Sequence, residues 1–106
     1  MTNNIVYTVT VIDLYTDKVL GFRRTPAIFT DIHQAVYVVK NNICDLSDGI
    51  NYQYAVIEES VLNVVRPSLD YVKPFQLWFK YNSVTDEFEQ CNVPHQLNGQ
   101  SGFGIG

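Results

Sequence analysis

The stretch Tyr52-Gln53-Tyr54-Ala55-Val56-Ile57-Glu58-Glu59 reads as a β-strand with apolar groups on both of its faces. Tyr52, Tyr54 and Val56 fall on one side and Ala55 and Ile57 on the other. A strand that is apolar on both sides belongs in the middle of a sheet. Everything else is placed around it.

Upstream, residues 5–14 alternate: Ile5, Tyr7, Val9 and Val11 share one face, and Thr8 and Thr10 the other. Residues 19–24 supply a hairpin partner, which Pro26 ends or confines to an edge. A helix follows, capped by Thr30 or Asp31. Its apolar stripe is Ile32, Ala35, Val36, Val39 and Ile43, flanked by Tyr37 and Val38, with Asn41 and Asn42 at its end. Asp48-Gly49 marks a turn. Residues 60–66 either extend the central strand or form a separate edge piece. Residues 75–82 and 87–91 make a final hairpin. In the first of these, Leu77, Phe79 and Tyr81 share one face, and Gln76, Trp78, Lys80 and Asn82 the other.

The predicted fold class is α+β. An antiparallel sheet of about five strands carries one main helix on one face, in the order β-β-α-β-β-β. Residues 1–94 form a single domain, and 95–106 a Gly-rich, flexible C-terminal tail.

The chain has 106 residues with 7 Lys and Arg against 11 Asp and Glu, for a net charge of −4. Binding nucleic acid through its phosphates needs clustered cations, so direct nucleic-acid recognition is not expected. No secretory leader and no membrane-length apolar run is visible, so the expected location is cytoplasmic. Cys44 and Cys91 are then reduced thiols.

Each candidate chemistry fails a geometric requirement. Cys91 and His95 are one close ligand pair without a second, so no zinc site is expected. With Gly49 set at the glycine of a calcium loop, Cys44 and Leu46 stand where oxygen ligands belong. The glycines of the tail precede no helix and no lysine that a phosphate loop requires. Cys44 with His33 or His95 lies in no recognisable nucleophile signature. Glu58 and Glu59 point to opposite faces of a strand and cannot act on one atom. The sequence therefore predicts no enzyme, no metal and no cofactor.

What remains is an aromatic surface. Trp78, with Tyr54 or Tyr52 and with Lys80, marks a partner-binding patch on the sheet face away from the helix, with Glu58 at its rim. The competing reading covers Trp78 with the tail or with residues 68–74. Arg23 and Arg24 with nearby aromatics are the alternative, a site for a nucleotide-like signal, although neighbours on a strand point apart. A homodimer is compatible with both.

The run Tyr54-Ala55-Val56-Ile57-Glu58, followed downstream by Trp78-Phe79-Lys80-Tyr81, resembles a small domain family of phages, prophages and bacteria. An Arg-Thr pair before a Phe-containing helix start, as at Arg24-Thr25 and Phe29, and an Asn-rich helix end, as at Asn41-Asn42, fit the same pattern. The similarity spans residues 5–94 and carries no active site. It implies a binding protein of phage type that acts as an inhibitor or modulator of a host or phage protein, of the kind seen in counter-defence and anti-CRISPR proteins.

Overall fold

The computed structural model describes residues 5–13, 23–49, 52–61, 75–94 and 97. Five strands and one helix appear in chain order: β1 Ile5–Ile12, β2 Arg23–Phe29, α1 Ile32–Lys40, β3 Tyr54–Val61, β4 Gln76–Asn82 and β5 Glu87–Cys91. The sheet order is β2-β1-β3-β4-β5 and every neighbouring pair is antiparallel. The two-sided strand β3 stands at the centre, as its composition requires. It extends to Val61, so the first two residues of 60–66 continue it.

The period of two sorts each strand. Val9 and Val11 of β1, Ala55 and Ile57 of β3, Phe79 of β4 and Phe88 of β5 pack with Ala35 and Val39 of α1. Ile12, Val56 and Trp78 pack on the opposite face with Leu97. The helix thus closes one side of the sheet, and a second, smaller cluster forms on the other.

Strand β2 departs from the expected bounds. The sequence places it at 19–24; it begins at Arg23 and runs through Pro26 to Phe29. Residues 19–22 lie outside the described residues. Val9 pairs with Ala27 and Val11 with Arg24, so the single step across Thr10 is matched by both Thr25 and Pro26. This is a bulge on an edge strand, where a residue without an N–H is tolerated. Thr10 and Thr25 hydroxyls meet there at 3.0 Å.

Helix α1 starts because Asp31, in extended conformation, accepts from the His33 N–H at 2.9 Å. It stops at Lys40, whose charge suits the carboxyl end of the helix dipole. Asn41 caps it, and Asn42 turns into the left-handed region with φ 48°. The apolar stripe therefore does not continue to Ile43, which is 36% exposed. Asp48 and Gly49, with φ 50° and 72°, make the expected turn.

One residue of the expected 95–106 tail is described. Leu97 is only 2% exposed, and its N–H donates to the Pro94 carbonyl at 2.9 Å. The remaining residues of 95–106 lie outside the described residues. Among the described residues no helix is long and apolar enough to cross a membrane.

Candidate functional site

The aromatic patch expected around Trp78 does not form on the surface. Trp78 sits on the sheet face away from the helix, as its parity requires, but it is 4% exposed and packed with Ile12, Val56 and Leu97. Of the two readings, Trp78 open to a partner or covered from within the chain, the burial fits the second, with Leu97 of the 95–106 segment part of the cover. Tyr54 borders the same cluster, half-buried, and pairs across the ladder with exposed Lys80.

Tyr52 does not join them. Strand β3 begins at Tyr54, so the alternation does not reach back to Tyr52. The Tyr52 N–H donates to the Ser47 carbonyl at 3.0 Å, and its ring packs on the helix-side core. Glu58 is not at a rim either, being 2% exposed. Its carboxylate accepts from Gln76 Nε2 at 3.0 Å, and Gln76 Oε1 in turn accepts from Trp78 Nε1 at 3.3 Å. Glu58 is a buried acceptor in a cross-strand relay, the satisfied state that a buried carboxylate requires.

Arg23 and Arg24 diverge. Arg24 pairs with Val11 of the helix-side core, and Arg23 with Ile12 of the other cluster. The Arg24 guanidinium lies over the Tyr52 ring, 5.6 Å from its centre. The two cations do not form one clamp. Cys91 is half-buried, and burial pushes its thiol up despite the nearby Lys80. It is held protonated and weakly nucleophilic. Among the described residues no three His, Cys, Asp or Glu side chains gather into a group that could hold a metal.

Among the described residues, exposed apolar side chains stand at Phe75 and Val84 and also where β2 runs into α1. Phe29, His33, Gln34, Tyr37 and Val38 line an open groove of 410 Å³. The helical members recur as adjacent pairs on successive turns, which puts them on one face. Phe29 and Val38 are half-buried and continuous with the core, so they form the floor. His33, Gln34 and Tyr37 are exposed and form the rim. Tyr37 is 63% exposed and Ile28, beside Phe29, is 60% exposed.

The sequence points to these residues in other roles, Phe29 at a helix start, His33 beside Cys44 and Tyr37 flanking the apolar stripe, and none of those roles gathers them into a groove. The available signal was Tyr37 itself, an aromatic residue off the stripe of a helix that had only one face to bury. Compared with family models, curated proteins and solved structures, the chain matches none.

Proposed function

We propose that this protein acts without catalysis, by binding another protein through the groove between α1 and the end of β2. The observation that carries the reading is the exposure of Tyr37 at the rim of a groove whose floor belongs to the core. A large aromatic side chain held on a rigid helix is a low-entropy anchor of the kind that dominates interface energetics. The resemblance to phage and prophage domains supports an inhibitor or modulator of a host or phage protein.

A photo-crosslinking residue at position 37 tests the proposal in cells that naturally express the gene. A discrete protein adduct is expected from position 37 and not from Val84, which is more open to solvent on the β4–β5 turn. Identical adduct patterns from both positions, or none from position 37, would refute the assignment.

A further inference from the structure

We infer that the Asp45 carboxylate shields the Asp48-Gly49 link from isomerisation to isoaspartate, a backbone modification to which this turn is otherwise open. The inference is independent of the binding reading.

Asp48-Gly49 is the only Asp-Gly pair of the chain. Such a pair is prone to rearrange because glycine puts no side chain beside its own nitrogen. The reaction starts when the Gly49 amide gives up its proton. The nitrogen then bonds to Asp48 Cγ, and the carboxyl hydroxyl leaves with that proton as water. A cyclic imide closes. Water reopens the ring at either carbonyl. Opening at the backbone carbonyl carries the chain onward through Cγ, so the Asp48 Cβ enters the main chain as an extra methylene. One water is lost and one regained, and the net change is a rearrangement.

Position favours this chemistry. Asp48 and Gly49 are both exposed, so water reaches the link. No atom lies within 4 Å of the place a Gly49 Cβ would occupy, so crowding by neighbours does not protect it.

The amide proton is what the fold withholds. The Gly49 N–H donates to both oxygens of Asp45, at 3.2 and 3.4 Å. That bond must open before the nitrogen can attack, and the nitrogen anion would form beside a negative charge. Both effects slow the same step. The peptide unit is also held in place. The Asp48 N–H donates to the Asp45 carbonyl at 2.9 Å, and the Ser47 hydroxyl donates to Asp45 Oδ1 at 3.2 Å. The Ser47 carbonyl in turn accepts from the Tyr52 N–H at 3.0 Å. This turn leads from α1 to β3, and the Tyr52 ring packs on the helix-side core. An extra methylene between Ser47 and Tyr52 would break the match between that carbonyl and that N–H.

The test incubates the full chain at neutral pH and measures isoaspartate at residue 48 by peptide mapping, which keeps it apart from any formed at the Asn98-Gly99 sequence. The folded chain should isomerise roughly tenfold or more slowly than the same chain unfolded in urea, the factor that one charge-assisted hydrogen bond supplies when it must open first. Asp45→Gly removes the carboxylate and accepts the left-handed backbone, at φ 54°. Shown to be folded by circular dichroism, it should isomerise roughly tenfold faster than the native chain. Amide hydrogen exchange passes through the same nitrogen anion and separates loss of the carboxylate from loosening of the turn. In the variant, exchange at Gly49 should rise while exchange at Tyr52 stays slow. Equal isomerisation of the folded and unfolded native chain would overturn the inference. So would an Asp45→Gly chain that isomerises as slowly as the native one, or one in which Gly49 and Tyr52 exchange rise together. If Asp45→Gly does not fold, Asp45→Asn keeps the side-chain shape and removes the charge. Faster isomerisation of that variant supports the shield, and a native rate overturns it.

Discussion

The Tyr81 hydroxyl donates to Asp86 Oδ1, and the same oxygen accepts from Asn42 Nδ2 at 3.1 Å. A residue of β4, the β4–β5 turn and the end of α1 therefore meet on one carboxylate oxygen. Asp86 holds a left-handed φ of 58°, and its N–H donates to the Asn82 carbonyl at 2.8 Å. The turn is fixed from both sides.

That hydrogen bond sets a pH dependence. Donation to the Asp86 carboxylate, then burial, raises the Tyr81 pKa above its ordinary 10.0. The folded state thus holds the proton more tightly than the unfolded state. The contribution of Tyr81 to stability is fully present below the unfolded value and is lost as pH rises through the folded one. Urea midpoints of the native chain and of Tyr81→Phe should differ by a constant amount up to about pH 10 and converge above it. A gap that stays constant into strong alkali would show that the bond does not couple ionisation to folding.

Asn42 is the costlier partner to remove. It is 7% exposed, and its carbonyl oxygen accepts from the Ser47 N–H at 2.9 Å. Its amide nitrogen also donates to Ser47 Oγ at 3.0 Å. Asn42→Ala strands the buried Ser47 N–H and removes a donor from Asp86, at about 1–3 kcal/mol. It also places alanine at φ 48°, adding roughly 1–2 kcal/mol. Asn42→Gly keeps the conformation and loses only the bonds. Denaturant titration should rank the native chain above Asn42→Gly, and Asn42→Gly above Asn42→Ala. An alanine variant as stable as the glycine variant would show that backbone conformation contributes nothing here.

The sheet was readable because its physics is periodic. Alternation put Val9, Phe79 and Trp78 on the correct faces, and the two-sided run at Tyr54–Ile57 fixed the central strand. Parity, however, says which face a side chain takes and nothing of what lies over it. The cover of Trp78 includes Leu97, in a segment whose glycines read as a tail. The groove was missed for a related reason. Pro26 reads as a strand end or an edge position; it lies on an edge strand, where a bulge takes it up and β2 runs on to Phe29. Only that extension brings Phe29 alongside α1, and no local pattern announces it.

Burial of Trp78 has a direct optical consequence. It is the only tryptophan of the chain, so its emission reports one site. Packed at 4% exposure, it should emit at short wavelength and resist quenching by iodide until the protein unfolds. Trp78→Ala should destabilise the fold by about 3–5 kcal/mol, as loss of a large core ring does. Tyr37→Ala, at an open surface position, should change stability by no more than about 0.5 kcal/mol. Easy quenching in the native state would return Trp78 to the surface and reopen the patch first read from the sequence.

The same fluorophore tests whether the domain ends at residue 94. Leu97 is as buried as Phe88, and it packs on the face that α1 leaves uncovered. If it is a core residue, Leu97→Ala removes buried methyl groups beside the indole and costs about 2–5 kcal/mol. A chain cut after Pro94 loses the whole side chain and also the bond from the Leu97 N–H to the Pro94 carbonyl. Both variants should shift Trp78 emission to longer wavelength in the native state, the truncation more than the substitution. The helix-side cluster of Val9, Ile57 and Phe79 contains neither residue, so far-ultraviolet dichroism should keep its native shape while the emission moves. A truncated chain with native stability and unshifted emission would place Leu97 outside the core and restore the boundary at 94.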